Sequence, residues 1–179
     1  MAHYSDTAQL SIDLVNTFDV FAGDDLLGTV RDLTDFAVAH GIEQLAATVK
    51  DLESIRRARP ELRRALLAED EAIAVVALND LLAAAKPRPQ LVHGSDEKWV
   101  FGYADPEGTV ADRILAEAAG GALEEIRLHG VRRFNTCGSS TCEDVFVDRT
   151  RNRSRRFCSS DVCGNREAQR AHRARRAHE

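Results

Sequence analysis

Apolar residues recur at helical intervals through most of the first 130 positions. From Val30 to His40, Leu33, Phe36 and Ala37 fall on one face, and Gly41 is a natural stop. The helical pattern resumes from Glu43 to Ala68, with Leu45, Val49, Leu52 and Ile55, then Leu62, Leu66 and Leu67. Pro60 lies between these two groups. It has no backbone N–H and its ring crowds the preceding turn, so a break or kink is predicted just before it. Ala72 to Ala85 reads as a further helix with Ile73, Val76, Ala77, Leu81 and Ala84 inward, ended by Pro87 and Pro89. Thr109 caps a long helix over Val110 to His129, with Ile114, Leu115, Ala118, Leu123, Ile126 and Leu128 as core positions and Gly120-Gly121 weakening its middle.

Two stretches of this part read differently. Thr7 to Phe18 fits a helical face through Leu10, Leu14, Val15 and Phe18, and a strand through Leu10, Ile12 and Leu14; helix is preferred. On a helix, Asp13, Asn16 and Thr17 share one side, as pocket lining or as a solvent-facing or capping group. Gln90 to Tyr103 reads as two short strands around a turn at Gly94-Ser95-Asp96. Its aromatic face, with Trp99, is expected to cover the helices, the alternative being ligand contact by Trp99 or Tyr103.

After position 130 the pattern shortens. Glu143 to Asp148 reads as a strand, Arg149 to Arg156 as a turn and return strand, and Arg166 to Ala177 as a helix. Charge sharpens this boundary. The 179-residue chain carries −5 overall. Residues 131–179 hold twelve arginines and no lysine against six acids, a formal +6; residues 1–130 hold twelve bases against twenty-three acids, a formal −11. An acidic body with a basic end implies an anionic partner for that end. No apolar run is long enough for a membrane span, and Met1 to Asp6 has neither the basic nor the apolar region of a secretory signal. The expected compartment is the cytoplasm, where thiols stay reduced.

Four cysteines, the only ones in the chain, are Cys137, Cys142, Cys158 and Cys163. They form two pairs with identical four-residue gaps. In a reducing compartment such pairs favour one metal ion over disulfides or free thiols. The order of knuckle, hairpin and helix, with Cys163 at the start of the helix, is that of a treble-clef finger. A tetrahedral set of four thiolates leaves no position for water, so one structural Zn2+ per chain is expected and no catalysis at it. No nucleophile–base motif or phosphate loop occurs, and the chain reads as a non-enzyme.

Cys137 and Cys142, the run from Asp148 to Cys158, and Cys163-Gly164-Asn165-Arg166 closely resemble the CGNR zinc-finger family. Leu10 to Thr17, followed by an acidic loop and helices, resembles the ABATE domain that precedes that finger. The resemblance implies a bacterial transcription regulator, described as stress-induced, with a zinc-binding, DNA-binding C-terminus. The fold class expected is mainly α (α+β): a helical domain with a small β-hairpin over 1–130, and a treble-clef-like four-cysteine finger over 131–179.

The arginines are the candidate DNA contacts. Arg149, Arg151, Arg153 and Arg155 alternate and would share one face of an extended hairpin. Arg166, Arg170 and Arg173, with Arg176 at the edge, form a stripe on the last helix. Together they make a phosphate-binding surface. A four-thiolate zinc centre carries a charge near −2, so Arg155, Arg156 and Arg166 can instead neutralise it, and others can dock on the acidic body or on an acidic partner. The helical domain is left for sensing or for dimerisation. His40, His93 and His129 read as surface or capping residues, and His172 and His178 are not needed as ligands.

Overall fold

A computed structural model describes residues 8–42, 46–94 and 98–176. The start of the chain, the first residues of the helix expected from Glu43, the turn at Ser95 and Asp96, and Ala177 and His178 lie outside the described residues. Six α-helices and two two-stranded antiparallel sheets are described: α1 (Gln9–Asn16), α2 (Val30–Ala39), α3 (Val49–Leu66), α4 (Glu71–Ala84), β1 (Gln90–His93), β2 (Trp99–Gly102), α5 (Val110–His129), β3 (Phe134–Thr136), β4 (Val145–Val147) and α6 (Asn165–Arg176). The fold is mainly α with two small sheets and a four-cysteine cluster near the C-terminus. Among the described residues, no helix is long and apolar enough to cross a membrane.

Helix starts are specified locally. Thr29 and Thr48 form reciprocal capping boxes with Asp32 and Asp51, and Thr109 accepts from the Asp112 N–H. The ambiguous stretch after Thr7 is helical. Helix α5 is the centre of the body and packs on α1, α3 and α4. Its inward side carries Ala116, Ala118, Ala119 and Ala122, all fully buried, which lets neighbouring helices approach closely. The buried Ser11 hydroxyl on α1 donates to the Ala118 carbonyl at 2.5 Å.

Four expectations are corrected. Helix α3 runs through Pro60 without a break. Both Pro60 and Arg56, whose carbonyl loses its helical partner, are exposed, so the lost bond lies on the solvent side while Ile55, Leu62 and Leu66 hold the helix to the core. Helix α4 buries Ala74 and Leu78 and leaves Ile73 and Val76 exposed. It is apolar nearly all round, so its pattern does not select a face. On the hairpin β1–β2, Trp99 and Phe101 face outward, at 62% and 54% exposure. The contact with the helices is made by Tyr103 instead: a Cβ at Gly120 would lie 2.2 Å from its ring, so the glycine that weakens α5 is the seat of this aromatic. Val49 and Leu128, read as core positions, are exposed.

One hydrophobic cluster joins both halves of the chain. Phe134, Val145 and Val147 of the cysteine-bearing segment pack with Ile12, Leu14, Ile114 and Ala118 of the helical body. A polar clamp reinforces the joint: the Asn16 amide donates to the Val145 carbonyl and accepts from the Val145 N–H, both at 2.8 Å.

Candidate metal centre and basic surface

Strand β3 ends at Thr136 and leads into Cys137, the chain turns through Gly138–Thr141, and Cys142 leads back to β4. The knuckle therefore sits inside the hairpin β3–β4. Gly138 is required here, because its N–H donates to the Arg156 carbonyl at 2.8 Å and a Cβ would press within 3.0 Å of that oxygen. The second pair spans a wide π-type turn over Ser160–Gly164, capped by the Ser159 hydroxyl, with Cys163 just before α6.

The four sulfurs lie within 4.8 Å of one another. Cys142 to Cys158 is 3.7 Å and Cys158 to Cys163 is 3.6 Å. A tetrahedron with metal–sulfur bonds of about 2.3 Å has edges of about 3.8 Å, so the arrangement fits one metal ion. Cys137 and Cys163 are buried, and Cys142 and Cys158 are half-buried. Burial pushes the Cys142 thiol up to about 12, with the Asp144 carboxylate adding to it. Burial and the adjacent sulfurs push Cys158 up as well. Burial acts in the same sense on Cys137, but the backbone N–H groups of Cys158 and Ser139 outweigh it and hold that thiol below its ordinary value. A bound cation favours the thiolate at all four.

The arginines separate into two groups. Arg149 donates to the buried Glu125 of α5 at 3.0 Å. Arg155 lies over the Phe146 ring and donates to the carbonyls of Val147, Phe157 and Cys158. Arg166 donates to the Thr141 hydroxyl in the knuckle at 3.0 Å. Arg149 thus ties the finger to the helical body, while Arg155 and Arg166 are built into the finger and sit beside the cysteines as expected for neutralising groups. Arg151, Arg153, Arg156, Arg173, Arg175 and Arg176 are exposed, and Arg170 pairs with Glu167 of its own helix, at 3.7 Å. The expected return strand is not formed. Residues 149–156 are a turn in which Arg153 has φ +50°, so the four alternating arginines do not share a face.

Two carboxylates that the pattern of the sequence does not single out set this geometry. Asp148, 1% exposed, accepts from the Thr150 N–H and hydroxyl and from the Arg155 N–H, at 2.6–2.8 Å. Burial alone would raise its pKa, yet these donors hold it below the usual carboxylate value. The Asp-x-Thr spacing signals such a turn. Glu167 on α6 accepts from the Ser139 hydroxyl and from the Ser140 N–H and hydroxyl at 2.9–3.0 Å, fixing the basic helix to the knuckle. Nothing in the sequence distinguishes it from a solvent-facing glutamate.

The polar trio of α1 is split. Asp13 and Asn16 line a cavity of about 380 Å3 between α1 and the finger, which Asp144, Arg149 and Cys158 also line. Thr17 points elsewhere, accepting from the buried Arg59 at 2.8 Å. Asp13 pairs with His40, whose Nε2 is 3.0 Å from the carboxylate and whose Nδ1 is 2.9 Å from the Phe36 carbonyl. Two acceptors favour imidazolium, and the Asp13 bond raises the His40 pKa against the opposing effect of burial. The stability this contributes is full below the unfolded value of about 6.5 and is lost as pH rises through the higher folded value. An NMR titration should therefore place His40 above 6.5, and Asp13→Asn should lower it; identical titrations would disprove the pairing.

Two family models match the chain. ABATE, described as "Putative stress-induced transcription regulator", matches residues 8–127, and the CGNR zinc finger matches residues 133–176. No curated protein matches.

Proposed function

Because the chain belongs to the ABATE family and carries a CGNR zinc finger at its C-terminal end, we propose that it regulates transcription, with one structural Zn2+ holding a finger that contacts DNA through its arginines. The observation that carries this is the exposure of α6. The helix has no buried residue, and among the described residues no carboxylate of the acidic body lies against Arg170, Arg173 or Arg176. Arg151, Arg153 and Arg156, on the turn between the two cysteine pairs, are exposed as well and add to the positive charge of the finger. The −11 body repels a phosphate backbone, which favours approach from the finger side. Four thiolates complete the coordination of zinc, so the ion orders the segment and we assign it no reaction. A reducing compartment keeps those thiols available.

Binding of a labelled duplex, followed by anisotropy across a salt series, tests the reading. The zinc-loaded protein should bind at low salt with an affinity that falls steeply as salt rises. Arg170→Ala with Arg173→Ala should make the log–log slope shallower by about 1.8, at about 0.9 for each phosphate no longer neutralised. Absence of binding at low salt, or an unchanged slope in the double variant, rules it out. The alternative of an interaction module that docks on acidic protein has one observation in its favour, the Arg149–Glu125 pair. A protein that ignores duplex DNA at low salt would fit that alternative. The helical body is then the sensing or dimerising part.

A further inference from the structure

A second cavity, of about 530 Å3, opens between the loop after α1 and the outer side of α3. Its floor is apolar, formed by Val15, Phe18, Val20 and Pro60. Its walls are arginines, and no acid among the described residues lines it. Arg56 and Arg59 share one carboxylate, Asp25, which takes two bonds from Arg59 at 2.7–2.8 Å and lies 3.4 Å from Arg56. Arg64 pairs with the exposed Glu61. Arg63 has no carboxylate partner among the described residues and donates to the main-chain carbonyl of Glu143. The groove thus combines a hydrocarbon floor with a net positive wall. Phe18 and Val20 remain 37% and 41% exposed.

We propose that this groove binds a monocarboxylate with an apolar body, the floor taking the hydrocarbon and Arg63 and Arg64 taking the carboxylate. Charge complementarity argues for an anion. Size argues for a small molecule, since ligand cavities commonly run from about 300 to 1,000 Å3. Arg63 adds a link to the finger, because the carbonyl it holds belongs to the residue after Cys142. An anion in the groove competes for that guanidinium at the joint between body and finger. The proposal names an input for the sensing domain and so rests on the regulator reading. It is tested without DNA, so either can fail alone.

Calorimetric titration of the zinc-loaded full chain with sodium decanoate is the test, with butyrate and 1-decanol as controls for the apolar body and for the charge. Decanoate should saturate one site per chain, and both controls should bind at least about 10-fold more weakly. Arg63→Gln with Arg64→Gln should keep the helical signal of the folded chain and weaken decanoate at least about 10-fold, and the exposed Arg64→Gln alone should weaken it in the same direction. The proposal is overturned by absence of saturable binding, by equal binding of 1-decanol, or by equal affinity in the variant. It is also overturned if the chain dimerises through this face and decanoate does not compete.

Discussion

Removing the metal, by chelation or by Cys158→Ser, is expected to release the chain from Arg151 onward while residues 8–147 stay folded. The two sides of that point are held by different forces. Upstream, Val145 and Val147 are within the main hydrophobic cluster and β4 is clamped by Asn16. Downstream, Cys163 is the one buried residue among those described, and α6 buries none. Apart from the metal set, that segment hangs on the Asp148 bond to the Arg155 N–H, on Glu167, Arg155 and Arg166, and on a few main-chain bonds. Structural zinc contributes on the order of 10 kcal/mol to the folding of such a unit, far more than those exposed bonds. Elemental analysis should find about one zinc per chain. Chelated protein should lose the helical signal of the 12-residue α6 and be cut by trypsin from Arg151 onward more than about 100-fold faster, leaving a resistant body. Unchanged protease resistance of the tail after chelation would refute a structural metal.

That division was partly legible in the sequence. The start of α5 could be read because a threonine with an aspartate three residues on is a local device, as at Thr109 and Asp112. The same device at Thr48 and Asp51 starts α3 at Val49, later than the Glu43 that the apolar pattern predicts. The cysteine set could be read because ligand chemistry constrains residue type and spacing together. What failed depends on packing between distant segments. Alternating arginines predicted a strand, but Asp148 gathers the N–H groups of Thr150 and Arg155 and folds the stretch into a turn. Helix α4 offered several equivalent apolar faces, and packing between α3 and α5 buries the one with Ala74 and Leu78. Trp99 invited a place against the helices, yet Tyr103 fits the gap over Gly120. The joint between body and finger was invisible for the same reason. Asn16 clamps a residue 129 positions away. The finger is therefore anchored through β4 and mobilised, when the metal leaves, only beyond it.

Replacing Asp51 by Ala is expected to cost about 3 kcal/mol, through loss of charged-acceptor hydrogen bonds worth about 1.5–3 kcal/mol each. One carboxylate serves two helices. Its Oδ2 accepts from the Thr48 N–H and hydroxyl at 2.8 and 2.6 Å, closing the capping box of α3. Its Oδ1 accepts from the Ala111 N–H at 3.0 Å, in the first turn of α5. Both helix dipoles present their positive ends to it, and it is 5% exposed. Ala would leave the buried Ala111 donor without an acceptor. For a chain of this size the thermal midpoint should fall by about 10 °C. Asp51→Asn isolates the charge, because the shape and one acceptor remain. Burial would raise the Asp51 pKa, but the Thr48 hydroxyl and the two N–H donors lower it below 3.8. The carboxylate's contribution is therefore present above the unfolded value of about 3.9 and is lost as pH falls through the folded one. The gap between the wild type and Asp51→Asn should accordingly be open at pH 7 and close in acid below both values. A gap that persists there would mean that shape, and not charge, joins α3 to α5.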